Sequence, residues 1–303
     1  MKKILILYYS QSGQLQNVLQ NLITPLQQDN NISCDYRAIQ PLKPFPYPWK
    51  FYEFLDTFPE AVYLNGCEVE EIDCEDDYDL IILGYTVWFL SPSLPVTGFL
   101  QSKQAKKLFK DKPVITVIAC RDMWLMAQEK MKPLLDNLNA HLIDNVVLTD
   151  QGKSIYTFLT TPRWMLTGRK NPFWFFPPAG VAETEIQNTA RFGKRLCEAL
   201  AQNKETEDTP LLQGLESVNV QGKLIATERI AHRSFLIWSK LIKKAGKPGS
   251  DARKVVLTIY SFFLLTLVLT IVPINIIIRK LLYPFRKKHI KKAINYYEQP
   301  SGK

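Results

Sequence analysis

The stretch that decides the fold is Ile4-Leu5-Ile6-Leu7-Tyr8-Tyr9, followed by Ser10-Gln11-Ser12-Gly13-Gln14 and then Leu15, Val18, Leu19 and Leu22. An unbroken apolar run is what a parallel strand covered on both faces requires, because neither side of its pleat meets water. The leucines and valine that follow recur at three and four residues, which predicts an amphipathic helix. The short loop between them is shaped for an anion. Gly13 permits a tight turn with positive φ, the helix start offers unsatisfied N–H groups, and Ser10 and Ser12 bring hydroxyls. The loop is neither a Walker A loop nor a GxGxxG fingerprint. The plainer alternative is an N-cap by Ser12, worth about 1 kcal/mol. Met1-Lys2-Lys3 ahead of the run has the outline of a signal peptide, but the run is short and no small-residue cleavage site follows.

Working outward, apolar runs recur at 79–84 and 113–119, with weaker ones at 141–148 and 33–39. Between them lie helical spacings: Val96, Phe99 and Leu100 toward Leu108; Met123, Met126, Met131, Leu134, Leu135 and Leu138; and an amphipathic segment at 183–202. Strand-helix alternation of this kind predicts an α/β fold, a doubly wound five-stranded parallel sheet over residues 1–204. Two aromatic-rich segments interrupt it and are expected to be long loops. One, at about 40–64, holds five prolines between Pro41 and Pro59 together with Phe45, Tyr47, Trp49, Phe51, Tyr52, Phe54 and Phe58. The other, at about 151–180, holds Tyr156, Phe158, Trp164, Phe173, Trp174, Phe175 and Phe176. They read either as satellite cores or as apolar lids over a ligand cleft. In such sheets the cleft lies beyond the carboxyl ends of the strands.

The net charge of +9 is unevenly spread. From Arg229 onward there are 16 Lys or Arg against two acids, a balance of +14, while the preceding part has 22 basic and 27 acidic residues, a balance of −5. Residues 205–228 are expected to be a linker and 229–303 a membrane-associated tail. Within it, 255–278 carries no charged residue and is long enough for roughly 30 Å of hydrocarbon. Pro273 is expected to kink it, and Asn275 to carry a cost in lipid. Ahead of it Ile230, Phe235, Ile237, Trp238, Leu241 and Ile242 alternate with Arg233, Lys240, Lys243 and Lys244, a pattern suited to an anionic leaflet. Behind it come Arg279, Lys280, Arg286, Lys287, Lys288, Lys291 and Lys292. Both flanks are basic, so the segment either spans once or enters and returns. The competing reading of 255–278 is a buried core helix of a soluble protein; lipid suits the arrangement better than nucleic acid, because the basic residues bracket an apolar run. The expected place is the cytoplasmic side of the membrane. The five cysteines form no CxxC or metal-ligand spacing and read as free thiols.

A second loop, Gly84-Tyr85-Thr86-Val87-Trp88-Phe89 with Pro92 and Pro95 behind it, follows the run at 79–84. Together with Tyr9-Ser10-Gln11-Ser12-Gly13, it resembles the flavodoxin-like flavoproteins over about residues 2–202. The resemblance implies FMN, with Ser10, Gln11, Ser12, Gly13 and Gln14 around the phosphate and Thr86, Val87, Trp88 and Phe89 against the flavin ring. The chain departs from that pattern at Leu15, where a hydroxyl residue is frequent, and in a third loop, Cys120-Arg121-Asp122-Met123-Trp124, which has no glycine.

The wider set of features is the loop Tyr8-Tyr9-Ser10-Gln11-Ser12-Gly13-Gln14-Leu15, the segment Ala119-Cys120-Arg121-Asp122-Met123-Trp124-Leu125-Met126-Ala127-Gln128-Glu129, and the membrane-seeking tail. It resembles the dialkylresorcinol condensing enzymes of aryl-polyene and flexirubin-type pigment pathways. That resemblance implies a lipid-like aromatic precursor and a ketosynthase partner. The family name implies carbon–carbon bond formation. A thiolase-type condensation needs an acylated Cys with His, and the histidines here are His141, His232 and His289, two of them in the tail. The resemblance also implies a second possibility, aromatisation of an alkylated cyclohexanedione to the resorcinol, which an FMN domain suits and which is the favoured reading, with Arg121 on an enolate oxygen, Asp122 as base and Cys120 beside them. For Arg121 and Asp122 the competing reading is a surface ion pair, or a helix cap by Asp122; for Cys120 it is a small buried residue. The alternatives in function are an NAD(P)H-dependent quinone reductase and a non-catalytic carrier or scaffold. No metal site is expected.

Overall fold

A computed structural model describes residues 1–75, 77–207, 209–271 and 286–300. Along the chain run β1 (Lys2–Tyr8), α1 (Gln14–Gln27), β2 (Ile32–Ala38), α2 (Phe51–Asp56), α3 (Phe58–Val62), β3 (Leu80–Tyr85) and the two-residue strands β4 (Val87–Trp88) and β5 (Ser91–Pro92). There follow α4 (Leu94–Leu100), α5 (Lys103–Leu108), β6 (Pro113–Cys120), α6 (Leu125–Asp136), β7 (His141–Thr149) and α7 (Ser154–Thr167). The chain continues through α8 (Glu183–Asn188), α9 (Ala190–Ala201), α10 (Gly222–Ala245) and α11 (Asp251–Thr266), and residues 286–298 form a C-terminal helix.

The main sheet has the order β2-β1-β3-β6-β7, every neighbour parallel. That is the flavodoxin-like order, with its switch point between β1 and β3. Each apolar run read from the sequence is one of these strands. The strand periodicity of two divides the core: Ile4 and Ile6 face α1 and α9, while Leu5 and Leu7 face the layer holding α4 and α6. Residues Ile4 to Leu7 and Leu80 to Leu83 are fully buried, which is why those runs lack polar alternation. β2 lies at an edge and is half-exposed, so its pattern is weaker.

The two aromatic segments are not loops throughout, which corrects the expectation. Each folds into helix: α2 and α3 in the first, α7 in the second. Leu55, Phe58 and Val62 pack with Ile242, Leu257 and Tyr260, so α2 and α3 form the seat for the tail helices. The rings of Phe58 and Tyr260 stack 4.8 Å apart. Arg253 is buried there with the carboxylates of Asp56 and Glu60. Removing either partner of such an ion cluster leaves a buried charge uncompensated, so the docking geometry is strongly specified.

Of residues 205–228, the last seven already belong to α10, and two hydrogen bonds tie the stretch before them to β7. The Leu212 N–H donates to Asp144 at 2.7 Å and the Val147 N–H to the Ser217 carbonyl at 2.8 Å. Asp251–Thr270 is long and apolar enough to cross a membrane by length and composition, with mean hydropathy 1.8 and 17% of its apolar window buried. The remainder of 255–278, including Pro273 and Asn275, and the basic residues Arg279 and Lys280 lie outside the described residues.

One close approach sets the spacing of the layer formed by α1 and α9. A Cβ on Gly193 would sit 2.0 Å from the Leu22 carbonyl oxygen. Gly193→Ala is therefore expected to cost about 1–3 kcal/mol of stability by overpacking, read as a lower urea midpoint with unchanged m-value.

Candidate functional site

The carboxyl ends of β1, β3 and β6 converge with their loops on one edge of the sheet. At the first loop the chain turns at Gly13, φ 78°, which is the N-cap of α1 and carries no side-chain cap. A Cβ at this position would meet nothing within 4 Å. Ser12 is exposed and does not cap the helix, so the plain N-cap reading fails. The Ser10 Oγ is buried and has no hydrogen-bond partner among the described residues. Gln11 and Gln14 are otherwise engaged. The Gln11 Oε1 accepts from the Trp49 Nε1 at 3.1 Å, and its Nε2 donates to the Pro46 carbonyl at 3.3 Å. The Gln14 Oε1 accepts from the Val181 N–H at 2.8 Å. The atoms left for an anion are the Ser10 and Ser12 hydroxyls and the first-turn N–H groups of α1.

In the second loop Thr86 and Val87 are half-buried, and β4 and β5 close a small hairpin whose corner, Phe89 and Leu90, has φ of 50° and 58°. That corner carries Phe89 to α2 and α3, where it stacks on Phe54 at 4.6 Å and meets Phe58 at 5.0 Å. Trp88 is 6% exposed and wedged among Tyr9, Phe45 and Trp49, with ring centroids 5.2–6.0 Å away. These aromatics fill the interior between the strand ends and the first insertion. Of the four residues expected against a flavin ring, Trp88 is buried and Thr86, Val87 and Phe89 are half-buried, with Phe89 turned to α2 and α3.

At the third loop the carbonyls of Cys120 and Arg121 both accept from the Asp150 N–H at 3.0 Å. The Arg121 guanidinium lies 4.3 Å over the Phe158 ring and its Nε donates to the Asp122 Oδ1 at 3.1 Å. Asp122 is 7% exposed, and its Oδ2 has no hydrogen-bond partner among the described residues. Burial pushes the Cys120 thiol well up, and the carboxylates of Asp122 and Glu228 push the same way against Arg121. A rise of this kind disfavours the thiolate, in keeping with a small buried residue.

Asp122 does not cap α6, whose N-cap is Trp124 without a side-chain bond. The cap comes from Glu228 on α10, fully buried, whose Oε1 accepts from the Met126 N–H at 2.7 Å. Burial raises this carboxyl to about 8, and Asp122 adds to the rise. A buried chain of hydrogen bonds then fixes α6 to the sheet: Tyr85 to Gln128 at 2.6 Å, Gln128 to Thr116 at 3.2 Å, and Thr116 to Asn145 at 2.9 Å.

The second insertion closes over the loops. Trp49 N–H donates to the Met165 carbonyl at 2.9 Å, which ties the end of α7 to the residue that holds Gln11. Gly180 sits against Trp164 and Gln14, and Asp150 accepts from the N–H groups of Gly152 and Gly180 at 2.8 and 2.6 Å. α7 therefore reaches from Arg121, under Phe158, to the first loop, beside Trp164. Thr157, Thr160, Thr161 and Trp164 share one face at helical spacing. Thr160 Oγ1 and Thr161 Oγ1 are buried without a partner among the described residues. The Ser10 Oγ and the Asp122 Oδ2, on the loops after β1 and β6, are unpartnered in the same way among the described residues. Buried groups of this kind call for a ligand or water, and the Ser10 hydroxyl ahead of the first turn of α1 suits a phosphate.

Glu228, Thr160 and Thr161 were missed by sequence reasoning. The threonine pair stood inside an aromatic segment read as a loop, and Glu228 stood one residue before the basic tail. No group of His, Cys, Asp and Glu among the described residues could hold a metal ion.

No protein-family model matches the sequence, and comparison with curated proteins gives no match. Among solved structures, a flavoprotein in complex with FMN from Lactobacillus acidophilus is similar at 20% identity and TM-score 0.40, over 48% of this chain and 93% of that one. A WrbA-like flavodoxin protein from Agrobacterium tumefaciens is similar at 10% identity and TM-score 0.38, over 67% and 99%. Flavodoxin 1 from Bacillus cereus is similar at 14% identity and TM-score 0.35, over 65% and 98%. At these TM-scores the fold is read from the strand order, and the likenesses add nothing to it.

The Glu228 carboxyl gives a pH dependence with a definite sign. Its ordinary value is 4.5 and its folded value about 8, so the folded chain holds the proton over that window. Stability therefore falls as pH rises from 5 to 8, by up to about 1.4 kcal/mol per pH unit from this group. Glu228→Gln keeps an acceptor for Met126 and cannot ionise. Relative to wild type it is expected to gain stability steadily from pH 5 to pH 8 in urea titrations. A difference independent of pH would contradict the assignment. Asp122, Cys120, Tyr85 and Tyr297 face the same region and are unchanged in the comparison.

Proposed function

We propose that the protein is a membrane-associated, FMN-dependent oxidoreductase that aromatises an alkylated cyclohexanedione to a resorcinol, as the resemblance to the dialkylresorcinol enzymes implies. The observation that carries the cofactor reading is the Ser10 hydroxyl, buried without a hydrogen-bond partner among the described residues, on the loop that opens α1 at Gly13; Thr160 and Thr161 on α7 are unpartnered in the same way. Bound there, FMN supplies an acceptor for the hydride that leaves the ring. The rest falls to this chain. Asp122 Oδ2, buried and unpartnered, takes the ring proton, so that one hydride and one proton account for the two hydrogens lost. Arg121, held by Phe158 and Asp122, places its positive charge on the enolate oxygen. The aromatic faces of the insertions and the apolar tail suit a lipid-like precursor taken from an anionic membrane surface on the cytoplasmic side. A ketosynthase of the same pathway would be the supplier.

Full-length protein is expected to be yellow and to quench FMN fluorescence at one equivalent, with riboflavin bound at least tenfold more weakly because the phosphate is missing. Ser10→Ala and Thr161→Val each weaken FMN by about three- to tenfold, in keeping with one lost hydrogen bond. Protein that stays colourless and takes up no FMN contradicts the reading. Adding an alkylcyclohexanedione anaerobically should bleach the flavin in wild type, and more than a hundredfold more slowly in Asp122→Asn. Bleaching by a nicotinamide without the dione would indicate the quinone reductase instead.

A further inference from the structure

The apolar stretch is bracketed by elements that sit on one body. Before it, α10 packs on α3 and α6, and α11 is fixed to the first insertion by Arg253, Leu257 and Tyr260, all 1% exposed or less. Phe263 still touches Trp238, with centroids 5.0 Å apart. After it, the helix at 286–298 returns to the same place. Tyr297 is 5% exposed within the core that holds α6, its hydroxyl accepts from Arg229 at 3.2 Å, and Tyr296 donates to Glu129 at 3.1 Å. A Cβ on Gly222 would meet Ile290 and Ile294 at 2.8 and 2.9 Å, so that helix lies directly on the start of α10.

Lengths decide what this permits. From Tyr260, the last fully buried residue of α11, to Thr270 the helix rises about 15 Å, half of the roughly 30 Å hydrocarbon core. To finish a crossing and come back, the chain would need about 45 Å more by Arg286. Sixteen residues supply about 24 Å as helix, and an extended strand alone in lipid leaves its backbone unsatisfied. A single crossing would leave the helix at 286–298 on the far side, where it could not make its contacts with Arg229 and Glu129.

The helical stretch Asp251–Thr270 is nonetheless built for hydrocarbon at and beyond this anchor. Ile259, Phe262, Leu265 and Leu269 are 54–68% exposed at helical spacing on one face. On α10, Ile230, Ile237 and Leu241 form a second exposed apolar row, 48–63% exposed. Exposed Arg233, Lys240, Lys243, Lys244 and Lys247 lie beside it, and Arg286, Lys287, Lys288, Lys291 and Lys292 are exposed on the returning helix. Apolar rows rimmed by cations from both flanks match one anionic leaflet: acyl chains in the middle and phosphates around the edge.

We propose that the protein is monotopic: the exposed half of α11 enters a single anionic leaflet without crossing it, and both flanks stay on the side that carries the sheet. This rests on the membrane association proposed above and on nothing about the flavin.

Full-length protein carrying different epitopes at its two ends would be expressed in bacteria and its membranes prepared in both orientations. Both epitopes are expected to be digested by protease in inverted vesicles and both protected in intact spheroplasts. Opposite behaviour of the two ends would overturn the one-leaflet topology while leaving membrane association intact. In flotation with liposomes containing phosphatidylglycerol, wild type is expected to float and to remain bound in high salt. Leu265→Asp with Leu269→Asp is expected to lower binding at least tenfold with an unchanged circular dichroism spectrum, since both side chains are exposed. Protein that does not float, that salt releases completely, or whose double variant binds as well as wild type would overturn the insertion.

Discussion

A helix cannot satisfy its own first N–H groups, and at α6 that need is met by a carboxyl 102 residues further along the chain. Glu228 is fully buried to do it. Because α6 starts directly after the third loop, fixing its first turn also fixes Cys120, Arg121 and Asp122 at the end of β6. Because Glu228 belongs to α10, the same contact holds the tail against the sheet domain. The cost is a carboxyl raised to about 8 next to a second buried carboxyl, an arrangement that persists only where surrounding structure over-determines it.

The aromatic insertions meet the same constraint from the other side. A five-stranded parallel sheet leaves its strand ends open at the switch point, and here Trp88, Phe45 and Trp49 fill part of that opening. The first insertion thereby becomes a joint between the sheet and the tail helices, with Arg253 at its centre. The second becomes a cover, pinned at Arg121 and at Trp164. Between those pins the hydroxyls of Thr160 and Thr161 are buried without a partner among the described residues.

The sheet was legible because burial on both faces leaves a direct signature: uninterrupted runs such as Ile4 to Tyr9. Gly13 and Ser10 were legible because a turn with positive φ before a helix needs particular residues. Much of the site was not. Gln11 and Gln14 look like loop ligands in sequence, yet they hold Trp49 and Val181, since nothing local tells a side chain which distant backbone will pass over it. Phe89 looked like a ring partner, and the hairpin corner turns it to Phe54 instead. Glu228 was invisible for a stronger reason: an acid ahead of a basic amphipathic helix gives no hint that a helix N-terminus elsewhere lacks a cap.

That the tail and the sheet form one cooperative body is the claim on which the rest stands, and native-state hydrogen exchange tests it most directly. If Glu228 joins them, the amides of Leu125 and Met126 and those of α10 around Glu228 will exchange at the same free energy of opening as the centre of β3 and β6. If α10 exchanges by its own low-energy opening while α6 and the sheet stay protected, the tail is an independent appendage and the account is wrong.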